Sequence, residues 1–112
     1  MKVYVAGPYT HGDTVNNIQA ALTTAEHLAF MGFTPFVPHL TGFWHFLYPH
    51  EYEFWMKYDA EWLLACDAVL RIPGDSAGAD REVEMAKSAN IPVYYTVEEL
   101  CEKTHFPTSL QS

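Results

Sequence analysis

Glu82 ends a stretch of small and polar residues, Gly74-Asp75-Ser76-Ala77-Gly78-Ala79-Asp80-Arg81-Glu82, that lies between an apolar run and a helical pattern. Residue types of this kind can hold an anion. Small side chains let backbone N–H groups come close to it, and the start of the next helix adds unpaired donors and the positive end of a dipole. Ser76 adds a hydroxyl. A carboxylate in the first turn of that helix would stand at a fixed distance from whatever the loop holds, so the pattern describes a phosphate cradle beside a nucleophile. The plainer alternative is a helix-capping turn followed by a glutamate that complements the dipole from solvent. Glycine-bearing turns between strand and helix are common in α/β domains, so the loop alone does not choose. Three histidines, His39, His45 and His50, invite a metal reading. Their spacing matches no zinc pattern and no cysteine pair accompanies them, so neither a metal nor any other cofactor is expected. Cys66 and Cys101 are isolated and fit a reduced, cytoplasmic protein.

The elements that must position these residues follow from hydrophobic period. Val3 to Ala6 reads as a first strand, and Gly7-Pro8-Tyr9-Thr10-His11-Gly12 as the turn after it. Ile18, Leu22, Ala25 and Leu28 recur at helical spacing, which predicts a helix over 14–31 with Asp13 or Thr14 as its N-cap and Gly32 just past its end. Residues 33–37 form a second strand. Pro35 would break a ladder bond there and places the strand at an edge. Residues 39–50 have no clean period but carry Phe43, Trp44, Phe46 and Tyr48, so they read as a loop or broken helix and as the expected lid. Helical spacing returns over Trp55, Tyr58 or Asp59, and Trp62 to Ala65. A central buried strand then runs from Asp67 to Ile72, a helix from Glu82 to Ala89, a fourth strand over 91–95 and a short helix over 97–103. The residues beyond are expected to fray. Strand and helix alternate throughout, which predicts one α/β domain over 1–112: a three-layer sandwich of about four parallel strands with helices on both faces. Ligands of such sheets bind at the carboxyl ends of strands where the winding reverses. That brings the loop after Ala6, with Gly7 and Tyr9 as contact candidates, beside the loop after Ile72.

Composition narrows the partners. Fourteen acidic residues against six basic ones give a formal net charge of −8, which offers no face to a nucleic acid backbone and excludes polymeric DNA or RNA. A small nucleotide or nucleoside is still compatible, because local N–H groups can hold one phosphate. No run approaches the roughly 20 apolar residues that a membrane helix requires, so no membrane partner is expected. Aromatic residues make up 15% of the chain, enough that some should line a site. Phe43 and Trp44 are the stacking candidates, whereas Trp55 and Trp62 read as buried helix aromatics. His39, just after the second strand, is placed to touch substrate.

Three segments together resemble the nucleoside 2-deoxyribosyltransferase superfamily. They are Tyr4-Val5-Ala6-Gly7, then Asp59-Ala60-Glu61-Trp62-Leu63 followed by Cys66-Asp67, and Ser76-x-Gly78-x-x-x-Glu82; Ala86 and Ile91-Pro92-Val93 keep the family's spacing behind the glutamate. Within the superfamily the chain looks closest to the nucleoside 5′-monophosphate N-glycosidases, such as 2′-deoxynucleoside 5′-phosphate N-hydrolase. The resemblance implies a Rossmann-like (flavodoxin-like) fold, a Glu82 nucleophile, a Tyr4 hydroxyl that orients it, and Asp59 near sugar and base. Ser76 and Gly78 match positions that hold the 5′-phosphate, and a homodimer or larger assembly is implied. The segment from Phe43 to Tyr58 and the loop Gly7-Pro8-Tyr9-Thr10 depart from the family pattern. Cleaving an N-glycosidic bond needs a carboxylate below the anomeric carbon and a proton for the leaving base. Glu82 supplies the first, and Asp59 either holds a sugar hydroxyl or, if burial raises its pKa, supplies the second. The expected reaction is hydrolysis of a nucleoside monophosphate; base exchange between nucleosides and non-catalytic nucleotide sensing are the alternatives.

Overall fold

The computed structural model describes residues 1–104; the expectation that the tail frays lies outside them. Four strands, β1 (Lys2–Ala6), β2 (Thr34–Phe36), β3 (Ala68–Arg71) and β4 (Val93–Tyr94), form one parallel sheet in the order β2-β1-β3-β4. Pro35 lies on the edge strand, where its missing donor leaves no gap in the middle of the sheet. The winding reverses between β1 and β3. Helices α1 (Thr14–Phe30) and α5 (Val97–Thr104) bring Ala21, Leu28, Leu100 and Cys101 against Val3, Val5, Ala68 and Leu70. On the opposite face α3 (Tyr52–Leu64) and α4 (Ala77–Ser88) bring Leu63, Ala79 and Ala86 against Tyr4, Ala6 and Val69. This is the expected three-layer α/β sandwich, and the parity of β1 decides its chemistry: Tyr4 points to the α3–α4 side while Val3 and Val5 point away.

Local signals set the helix ends. Asp13 caps α1 by accepting from the Asn16 N–H at 3.1 Å. Its other end closes with Gly32 at φ 99°, where Phe33 N–H donates to Leu28 O and Gly32 N–H to Ala29 O, the paired bonds of a Schellman stop. Asn90 at φ 61° ends α4 by the same device, with Ile91 N–H on Ala86 O.

Two expectations are corrected and one open choice is decided. The helix carrying Glu82 begins at Ala77, because the Ser76 hydroxyl accepts from Ala79 N–H at 3.0 Å and caps it. Gly78 is therefore helical, and Glu82 stands in the second turn rather than the first. Of the two readings of residues 39–50, loop or broken helix, the second holds over most of the segment: a 3₁₀ turn, Pro38–Leu40, leads into a two-turn helix, α2 (Thr41–Leu47). The fourth strand is limited to Val93–Tyr94. Among the described residues no helix is long and apolar enough to cross a membrane.

Candidate functional site

Tyr4 is fully buried, and its phenol donates to Glu82 Oε2 at 2.5 Å across 78 positions of sequence. Glu82 reaches it because Ala79, Val83 and Ala86 turn one side of α4 to the sheet and leave Glu82 beside that stripe. Burial raises the Glu82 carboxyl above its ordinary range, while the Tyr4 bond and the charges of Arg81 and Arg71 draw it back down. Burial foremost, then the negative charges of Glu82 and Asp59, keep the Tyr4 phenol far above its usual range, so it remains a donor. Asp59 comes from α3, one turn before the buried Leu63. Burial, with the charge of Glu82 second, pushes its carboxyl up to about 7, and its Oδ1 is buried with no hydrogen-bond partner among the described residues. Tyr4, Asp59 and Glu82 thus form one electrostatically coupled cluster between the sheet and two helices: a phenol donor and two carboxyl groups, both raised by burial.

An aromatic ladder walls this cluster. Phe36, the register neighbour of Tyr4 on β2, stacks on Tyr4 with centroids 5.6 Å apart and on Trp62 at 5.2 Å. Trp62 and Trp55 are not the buried core residues their spacing suggested, since Trp62 is exposed over nearly half its surface and Trp55 is part-buried. Phe36 was missed, although its place opposite the third residue of β1 is the signal that could have found it.

The loop candidates knit the site's rim. His39 is buried and donates from Nε2 to Pro8 O at 2.9 Å; burial lowers its pKa and keeps it neutral, and Nδ1 is left without a partner among the described residues. Tyr9 packs edge-on against His39 and rests its hydroxyl on Gly42, where a Cβ would overlap it. Gly7 is required by close approach, since a Cβ there would overlap the Ile72 side chain. Trp44 packs edge-on against Trp55 at 5.1 Å and Tyr58 at 5.4 Å, which docks α2 on α3, while Phe43 faces outward and is largely exposed. Ser76 spends its oxygen on the α4 cap, and a Cβ on Gly78 would meet only an ordinary contact. A second residue missed at sequence level, Arg71 at the end of β3, holds the β3–α4 connection in shape. It donates to Ile72 O at 2.5 Å and Gly74 O at 2.9 Å, and pairs with Asp80 at 3.0 Å. Among the described residues no group of three His, Cys, Asp or Glu side chains is arranged to hold a metal ion.

A family model described as "Domain of unknown function (DUF7768)" matches residues 1–96, and the chain belongs to that family. No curated protein matches the chain significantly. Among solved structures, a 2-deoxyribosyltransferase from the psychrotolerant bacterium Bacillus psychrosaccharolyticus, described as a biocatalyst for the industrial synthesis of antiviral and antitumoral nucleosides, is similar to this chain. It shares 23% identity over 83% of this chain and 69% of its own, with a TM-score of 0.62. At that identity the likeness shows the fold. It also overturns the closer placement among nucleoside 5′-monophosphate N-glycosidases, because the matched protein is a transferase; the hydrolase and glycosidase reading falls with that placement. In the segment behind that reading, the small residues are the capped first turn of α4, and the Arg71 side chain is bonded to Gly74, Ile72 and Asp80.

Proposed function

We propose that this member of the DUF7768 family exchanges bases on a nucleoside by transferring a pentosyl group through Glu82. The observation that carries the reading is the 2.5 Å bond from Tyr4 to Glu82 Oε2, with the Asp59 carboxyl, pushed up to about 7, within electrostatic reach of Glu82. One oxygen of Glu82 is oriented by the phenol, and Oε1 is left to attack the anomeric carbon. In the first half-reaction the glycosidic bond breaks as the Glu82–sugar ester forms. The bond's electron pair leaves with the base, which takes its proton from Asp59. In the second, an incoming base attacks the same carbon, the Glu82 carboxylate departs, and the proton lost by that base returns to Asp59. A carboxyl poised at about 7 can act in both directions near neutral pH. Trp62, half-exposed at the end of the Tyr4–Phe36 ladder, offers a face on which a base can stack.

The fold likeness to a 2-deoxyribosyltransferase supports the same reading, with a small-molecule nucleoside as partner. The reading also takes the protein as a cytoplasmic homo-oligomer. The test is to incubate it with a 2′-deoxynucleoside and a different free base, and follow both bases and both nucleosides by chromatography. A new nucleoside formed only in the presence of the acceptor base is the expected result. Release of free base at a rate indifferent to acceptor, or no turnover across a panel of nucleosides, rejects it.

A further inference from the structure

Tyr52 opens α3 and Arg81 lies in α4, and the Arg81 guanidinium donates to the Tyr52 hydroxyl, with its carbon 5.6 Å from the centre of the ring. Among the described residues no other side-chain hydrogen bond or ion pair joins these two helices. They are the helices that carry the acid and the nucleophile. Tyr52 precedes Asp59 by seven residues, two turns at about 100° per residue, so both lie along one side of α3. Arg81 immediately precedes Glu82. The tie from Tyr52 to Arg81 therefore bridges the same two helices as the coupling between Asp59 and Glu82.

Both ends of the tie are exposed, Tyr52 over 63% of its surface. An exposed arginine without an anchor ranges over many rotamers, and solvent and salt screen its charge. Neighbouring helix positions do not face each other, and among the described residues Arg81 pairs with no carboxylate. What keeps this cation in place near Glu82 is the Tyr52 hydroxyl. The groups coupled to Glu82 are Tyr4 from β1, Asp59 from α3, Arg71 from β3 and Arg81 from α4 itself. Arg71 is fixed by Ile72 O, Gly74 O and Asp80, whereas Arg81 is anchored by Tyr52 alone. We propose that Tyr52 is a positioning residue: by holding Arg81 across the gap between α3 and α4, it fixes a cation beside Glu82 and sets the spacing of the helices that bear Asp59 and Glu82. Its part in turnover rests on the base-exchange reading; its hold on the Glu82 carboxyl does not.

A carboxyl-detected NMR titration of Tyr52→Phe, Arg81→Met and the double variant measures that hold without substrate. Freed from its acceptor, Arg81 extends into solvent, so the Glu82 midpoint should rise in Tyr52→Phe, as it should in Arg81→Met. In the Arg81→Met background the Tyr52 change should add nothing. For base exchange, the acidic limb of kcat/KM should move to higher pH with the midpoint, and kcat should fall several-fold at unchanged KM. An unmoved or lowered midpoint in Tyr52→Phe overturns the proposal, even if the melting temperature drops, because a merely structural tie would do that. So does a shift that is equal with and without Arg81, since Tyr52 would then act on Glu82 by another route. Should Tyr52→Phe misfold, the wild type decides: the Arg81 guanidinium, followed by nitrogen NMR, should turn slowly about its Nε–Cζ bond, and rotation as free as that of a solvated arginine overturns the proposal. A wild type that exchanges no bases rejects the base-exchange reading instead, and the titration then decides the role of Tyr52 on its own.

Discussion

Tyr4→Phe removes one oxygen and leaves the ring where it stacks on Phe36. The lost interaction is the 2.5 Å bond to Glu82, a hydrogen bond to a charged acceptor in a place where Tyr4 itself has no solvent contact. Such a bond is worth about 1.5–3 kcal/mol, and because it favours the charged carboxylate its loss should move the Glu82 carboxyl further up. The direction follows from the structure: burial already holds Glu82 above the ordinary carboxylate range, and the Tyr4 bond acts against that rise. A carboxyl whose folded pKa is raised stabilises the fold at low pH and loses that contribution as pH climbs through the folded value. The variant should therefore match the wild type in stability at acid pH and fall behind it above the pKa of Glu82. A carboxyl-detected NMR titration reads the shift without substrate, and the acidic limb of kcat/KM for base exchange should move to higher pH by the same amount. If Glu82 titrates in the variant where it does in the wild type, or lower, the phenol does not hold the carboxylate in its charged form.

Glu82→Gln should remove base exchange by several orders of magnitude while leaving the melting temperature at pH 8 equal or higher, because an amide avoids burying a charge; exchange near the wild-type rate would exclude Glu82 as nucleophile. Asp59 is held at about 7 against an ordinary 3.8, so its proton stabilises the fold fully below about pH 4 and ceases to do so as pH rises through 7. Asp59→Asn should accordingly flatten the decline in melting temperature between those limits and abolish the alkaline limb of the rate profile, and a decline as steep as the wild type's would show that Asp59 does not titrate there. Gly42→Ala places a methyl on the Tyr9 hydroxyl, which should cost about 1–3 kcal/mol by overpacking in a urea titration; an unchanged midpoint would mean that Tyr9 swings clear and does not latch α2.

Much of the architecture could be read from the chain because independent local signals agreed. Pro35 pointed to an edge, and Gly32 fell at the position where an αL residue stops α1. The misreadings have physical causes as definite. Ala77, Gly78 and Ala79 read as a loop in the sequence because small residues suit both a cradle and a helix, and the deciding feature is Ser76, a strong N-cap type three residues before the N–H it binds. The period of α2 looked broken because a helix apolar on its docked side and on its open side has no polar stripe to mark the turn. For the cluster itself, only the parity of Tyr4 was visible in the pattern. That Asp59 and Glu82 lie near it came from the family resemblance, since residues 55 and 78 positions away carry no periodic signal linking them. Phe36 and Arg71 were invisible for a related reason: an aromatic and an arginine at strand ends have many bland explanations, and only strand register and the path of the β3–α4 connection set these two to work.

The two carboxyl groups, alike in chemistry and both raised by burial, are separated by what surrounds them. Glu82 has a phenol donor on one oxygen and feels two arginines; Asp59 has an oxygen with no donor among the described residues and feels the charge of Glu82. When the pair carries a single negative charge, that charge therefore belongs on Glu82 and the proton on Asp59. Base exchange needs this division, an anion under the sugar and an acid facing the base, and needs it restored after each half-reaction. In the proposed reaction, forming the Glu82–sugar ester would remove the negative charge that helps hold Asp59 up, so Asp59 would become a stronger acid at the moment the leaving base requires its proton. The return of the Glu82 carboxylate in the second half would raise Asp59 again and let it recover the proton from the incoming base. On the proposed reading, the coupling between the two groups, rather than either pKa alone, would suit the cluster to a reaction that must run in both directions.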